Sequence, residues 1–127
     1  MKYVGVDFGL SHLGLAVSEG ELAEPLAEKK YSGEAEALQF LSRLCEEQAI
    51  EAVVFGVPEG NLAGTIRTFA EKLQTVTGLA VFFQDETLST IEARQKLLAS
   101  GQPQKKRRLD HRGAATLILQ NYLDSIN

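Results

Sequence analysis

The chain has one cysteine in 127 residues, Cys45. A lone thiol cannot close an internal disulfide and has no second thiol to share a metal with, so redox and zinc-finger readings fall away. No apolar run approaches the ~18 residues of a membrane span. The amino end enters a strand-like MKYVGVDF where a signal peptide would show a basic and then an apolar stretch. These two absences lead us to expect a cytoplasmic protein with no membrane partner. No G-K-[ST] string occurs, which removes a P-loop nucleotide site. Internal repeats, low-complexity tracts and linkers are also missing, so residues 1–127 read as a single domain. Bases are outnumbered, with 13 Lys+Arg against 17 Asp+Glu and a net charge of -4. That balance weighs against phosphate binding, which Lys and Arg dominate.

The average conceals an asymmetry. From Arg94 to Arg112 seven bases face one acid, Asp110, a local net of +6 that leaves -10 for the remainder. Between Glu19 and Glu59 ten Glu face three bases. Lys105, Lys106, Arg107 and Arg108 follow Gly101-Gln102-Pro103 and read as a surface loop. Such a loop can grip phosphate or simply be solvated.

Periodicity gives the architecture. Tyr3 to Phe8 and Leu13 to Val17 suit two antiparallel strands joined by a tight turn, with a third strand within Leu26 to Tyr31. Leu38, Leu41, Leu44 and Cys45 then follow helical spacing. Ala52 to Val57 is a continuous apolar run, as in a strand buried on both faces. Pro58 to Gly64 reads as a loop. Ile66, Phe69, Ala70, Leu73 and Val76 form a second helical stripe ended by Gly78, and Leu79 to Phe83 a fifth strand. Ser89 to Glu92 has capping-box form and starts a third helix running to about Ser100. A last helix carries Ala115, Ile118, Leu119, Tyr122 and Ile126 on one face. The fold class is therefore α/β, a five-stranded mixed sheet with helices on both faces.

Three acids stand at element boundaries. Asp7 closes the first strand beside a glycine turn, on the face of Tyr3 and Gly5, near the sheet edge with little bulk around it. Its two readings are a turn aspartate bonding its own backbone and a carboxylate that holds a donor or a metal ion. Asp85-Glu86 ends the fifth strand, where α/β sites gather. Alternation lets only one of the pair face a given side, and periodicity does not say which. Asp110 precedes the last helix, as an N-cap or as an oriented, ionised metal ligand. A carboxylate-only cluster favours hard cations such as Mg²⁺ or Mn²⁺. Two such ions ~4 Å apart can activate a water and stabilise the leaving oxygen in attack on a phosphodiester. His12 and His111 are further proton-transfer or phosphate-donor groups, or plain surface residues.

At the level of motifs the chain resembles the YqgF/RuvX family of pre-16S rRNA nucleases, related to Holliday-junction resolvases of the RNase H-like superfamily. The matching pieces are VGVDFG and HLGLAVS, VVFGVP, FFQDETLSTIEARQKLL, and KKRRLDHRGAATLILQNYLD. The resemblance implies an RNase H-like sheet and divalent-metal-dependent cleavage of RNA in maturation of the 5′ end of 16S rRNA. Matched position by position, it implies an acidic site of Asp7, Glu86 and Asp110, with Asp85 as the alternative metal ligand to Glu86. Lys105, Lys106, Arg107, Arg108 and Arg112 would hold the nucleic acid.

The chain departs from the family pattern where site bases are usual: Thr87 follows the acidic pair and Ser11-His12 occupies the first turn. Glu59 adds negative charge to the segment after the fourth strand. Two alternatives follow, a junction-resolving DNA nuclease using the same chemistry on branched DNA, and a non-catalytic nucleic-acid-binding module. Actin-like and sugar-kinase folds also begin with D-x-G, but they need two domains around a nucleotide, which 127 residues do not supply.

Overall fold

The computed structural model describes residues 1–85 and 111–126. Its strands are β1 (Tyr3–Phe8), β2 (His12–Ser18), β3 (Glu24–Lys30), β4 (Ala52–Val57) and β5 (Ala80–Asp85), and its helices α1 (Glu34–Glu47), α2 (Leu62–Thr77) and α3 (His111–Ile126). The sheet order is β3-β2-β1-β4-β5. β1, β2 and β3 pair antiparallel, while β4 pairs parallel to both β1 and β5. The mixed five-stranded sheet expected from periodicity is present. The third helix expected from Ser89 to about Ser100 lies outside the described residues.

Alternation along the strands feeds two cores. One face sends Val4, Val6, Leu13, Leu15, Val53 and Phe55 against Leu41 of α1 and Phe69 and Leu73 of α2. The other sends Ala16 and Val54 against Ala115, Ile118, Leu119 and Leu123 of α3. β4 supplies both cores and is buried from Ala52 to Gly56, which explains its unbroken apolar sequence. Gly78 ends α2 in the left-handed conformation, its N–H donating to Gln74 O at 2.8 Å.

Several boundaries and faces differ from the sequence reading. β1 is the middle strand, so Asp7 stands at the end of the sheet's centre and not near its edge. β3 starts at Glu24, and α2 begins at Leu62, inside the stretch expected to be loop. Val76 is 60% exposed, because it sits on the rim of a hollow between the C-terminal ends of α1 and α2. Ile126 is 50% exposed and Leu123 takes the inward position. The reason is that β1 begins at Tyr3, beside Tyr122, and offers no strand beneath the last turn of α3.

Candidate active site

Asp7 is placed by the way α3 crosses β1. The ring of Tyr3 packs 5.9 Å from that of Tyr122, and a Cβ built on Gly5 would meet Leu119 Cβ at 2.7 Å and Ala115 O at 3.0 Å. Helix and strand therefore run in opposite senses in close contact. Each inward step along β1 climbs toward the start of α3. Tyr3 to Asp7 spans about 13 Å of strand, and Tyr122 to His111 about 16 Å of helix. Asp7, the next inward position after Gly5, is thus level with the first turn of α3. The amino-terminal turn of a helix carries the positive end of its dipole, which favours a carboxylate.

The strand register adds a second feature. Asp7 pairs across to Gly14 of β2, and one step beyond the Val6–Phe55 pair brings Gly56 of β4 alongside it. Gly14 and Gly56 are buried, whereas Asp7 is half-buried. The half-buried carboxylate is flanked on both neighbouring strands by positions with no side chain. Glycine inside a strand marks a place where something approaches closely. The glycines in HLGLAVS and VVFGVP were that signal, and sequence reasoning missed it because their alignment with Asp7 depends on register.

The turn after Asp7 is held firmly. Gly9 N–H donates to His12 O at 2.8 Å, Tyr31 N–H donates to Ser11 O at 3.0 Å, and the Tyr31 hydroxyl donates to Gly9 O. Burial, followed by the charge of Glu34, raises the Tyr31 pKa and keeps that phenol a donor. The ring of Phe8 packs 4.8 Å from Phe69, fixing the end of β1 from the other face. His12 is two residues from Gly14 along β2 and so shares Asp7's face; its Nδ1 lies 3.1 Å from Ser11 Oγ.

Asp85 is on the opposite face. Phe82 stacks on Tyr122, with centroids 5.3 Å apart, so Phe82 and Gln84 look toward α3. Asp85 alternates to the α2 side, where it lines a cavity with Arg67 and Phe83. Asp7 and Asp85 are not brought together on one face. Glu86, Asp110, Lys105, Lys106, Arg107 and Arg108 lie outside the described residues, and Arg112 falls in the first turn of α3. Among the described residues no three His, Cys, Asp or Glu gather into a metal-binding group, and no helix is long and apolar enough to cross a membrane.

Comparison with known proteins identifies relatives along the whole chain. The family model described as RuvX, Holliday junction resolvase, matches residues 1–125. A Bacillus subtilis protein named "Putative pre-16S rRNA nuclease" is 36% identical over 140 residues, covering 100% of both chains. A protein of the same name from Dictyoglomus thermophilum is 35% identical, covering 98% of this chain and 96% of its own. Among solved structures, Thermus thermophilus RuvC bound to a Holliday junction superposes with a TM-score of 0.65 at 18% identity, covering 99% of this chain and 95% of that one. The Fowlpox virus resolvase bound to Holliday junction DNA superposes at 0.64 with 11% identity, covering 99% of each chain. These two likenesses establish the resolvase-type RNase H-like fold. With a family match spanning residues 1–125 and relatives well above 30% identity over their full length, the chain belongs to the RuvX family of phosphodiester-hydrolysing nucleases.

Proposed function

We propose that this chain is a divalent-metal-dependent endonuclease of the cytoplasm that cuts structured RNA, with precursor 16S rRNA as substrate and its 5′ end as product. The observation that carries the reading is the position of Asp7, at the carboxyl end of the central strand, between two strand glycines and level with the start of α3. The names of the relatives in Bacillus and Dictyoglomus support the RNA substrate.

Asp7, Glu86 and Asp110 are the proposed acids. Alternation past Gln84, which shares Asp7's face, supports Glu86 over Asp85. Asp110 immediately precedes α3 in sequence, next to the turn that Asp7 faces. The donor set is all carboxylate oxygen, which fits Mg²⁺ or Mn²⁺ and disfavours softer metals. Bound to these acids, a pair of such ions would supply an acidified water and charge stabilisation at the leaving oxygen. The backbone of Asp7 is held in place, because its strand is paired on both sides and the following turn is tied to Tyr31. The adjacent glycines place no side chain of their own beside it. Lys105, Lys106, Arg107, Arg108 and Arg112 would hold the strand being cut through its phosphates.

The test is incubation of the purified protein with precursor 16S rRNA and, in parallel, with a four-way DNA junction, each with and without Mn²⁺. Metal-dependent cleavage of the RNA that disappears in Asp110→Asn is expected. Cleavage of the junction alone would instead assign the same chemistry to branched DNA, and binding without cleavage of either would leave a nucleic-acid-binding module.

A further inference from the structure

A cavity of about 450 Å³ opens at the carboxyl ends of β4 and β5, on the face opposite Asp7. Val57, Pro58 and Ala63 give it apolar walls, while Glu59, Arg67 and Phe83 supply its chemistry. The Arg67 guanidinium lies 4.7 Å from the centroid of the Phe83 ring, and Phe83 is 38% exposed although it is a large apolar side chain on a strand. Exposed aromatic rings and arginine guanidinium groups are the side chains on which unstacked nucleobases sit.

The charges decide between a base and a phosphate. Glu59 and Asp85 both line the cavity, and among the described residues Arg67 is the one cation on its wall. The Glu59 carboxylate repels a phosphate and accepts hydrogen bonds from base N–H groups. Glu59, an added negative charge in the segment after β4, gains a use in this arrangement. The cavity is also in reach of the proposed active site. β5 is two strands from β1, about 10 Å across the sheet, and Asp7 and the cavity both stand at the carboxyl ends of their strands.

Resting on the nuclease reading above, we propose that this cavity takes one unstacked nucleobase flanking the cut phosphodiester, layered on the Arg67–Phe83 pair, with Glu59 reading a donor edge. Guanine fits best, because its N1–H and 2-amino group are adjacent donors that match the two oxygens of a carboxylate.

The experiment measures binding of a fragment of precursor 16S rRNA spanning the 5′ processing site, by fluorescence anisotropy in Ca²⁺. Each nucleotide near the cut is made abasic in turn. For the unsubstituted protein one abasic position should weaken binding about tenfold, the scale of one base-aromatic stack. Phe83→Ala should weaken binding of the intact RNA by a similar factor and show no further loss at that position, while Phe83→Tyr restores binding. Thermal unfolding of both variants separates the effect from loss of fold. At the same position guanosine should bind better than inosine, which lacks the 2-amino group, and Glu59→Gln should erase that preference. Losses that add in full, or a guanosine preference untouched by Glu59→Gln, overturn the base pocket alone. Absence of any RNA binding or cleavage by the unsubstituted protein overturns the reading of the chain as an RNA nuclease, and the pocket with it.

Discussion

Gly5 of β1 and Leu119 of α3 are so close that a single added carbon on Gly5 would stand 2.7 Å from the Leu119 Cβ. The helix axis can approach the central strand only because that position has no side chain. This close approach sets the height of α3 over the sheet, and with it the position of the helix's first turn relative to Asp7. Gly5→Ala should therefore destabilise the protein by about 1–3 kcal/mol through overpacking and lower cleavage by more than the loss of folded protein explains. Gly64→Ala is the contrasting case. It lies in α2 with nothing within 4 Å of a new Cβ, so it should stabilise by about 0.5–1 kcal/mol. Urea midpoints for both variants, beside activity per folded molecule, check the pair.

The opposite faces of the sheet that hold Asp7 and Asp85 predict unequal effects of the acids. Asp7→Asn removes the negative charge at the site without changing shape and should reduce cleavage by at least about a hundredfold, as expected when an electrostatic contribution of a few kcal/mol is removed. Glu86→Gln should do the same. Asp85→Asn, on the α2 side of the sheet, should retain activity within a few-fold. Single-turnover rates at saturating Mn²⁺, with thermal unfolding to confirm the fold, distinguish the three. An Asp85→Asn variant as inactive as Asp7→Asn would refute the face assignment.

Charge on the segment before α3 predicts the salt response. Replacing Lys105, Lys106, Arg107 and Arg108 together with Gln removes four of the thirteen bases of the chain. If those side chains neutralise phosphates, the slope of log affinity against log salt should flatten by about 0.7–0.9 for each phosphate left without its cation. The rate at saturating RNA should change far less than the affinity. A slope unchanged by the fourfold substitution would show the run to be solvated.

Cys45 predicts the behaviour at high pH. Its side chain is 3% exposed, and burial pushes the thiol up to about 11 from an ordinary 9.0. In the pH window between those values the unfolded chain has released a proton that the folded chain retains, so stability is complete below about pH 9 and is lost as pH rises toward 11. The loss from this group is at most about 2–3 kcal/mol. Tyr31 and Tyr122, also raised chiefly by burial, act in the same direction. Cys45→Ala should remove the first part of the alkaline decline in a urea midpoint series run from pH 8 to 11. Native protein at pH 8 should also resist thiol reagents, reacting only as fast as it opens.

Much of the fold was legible because it rests on local patterns. The alternation in Tyr3 to Phe8, the unbroken Ala52 to Val57 run, the stripe from Ile66 to Leu73 and the stop at Gly78 each became the expected element. Val76 and Ile126 were misassigned for one reason. Helical periodicity tells which residues share a stripe but not where the surface it packs on comes to an end. Asp7 was legible as a candidate, since a carboxylate between a strand and a glycine turn is uncommon enough to question.

The chain by itself determined the five strands, the helical stripes of α1, α2 and α3, Asp7 and Asp85 at the ends of their strands, and membership of the RuvX family. Only the tertiary structure decided that Asp7 is central and not at an edge, that Gly14 and Gly56 flank it, and that Asp85 looks away from it toward Arg67 and Phe83. The physical reason is that side-chain parity is local while register is not. Alternation divides Gln84 and Asp85 between two faces, but which face holds Asp7 depends on how β1, β4 and β5 align, and on which helix covers each side. Those alignments are fixed by packing among residues far apart in sequence, such as Gly5 with Leu119 and Phe82 with Tyr122.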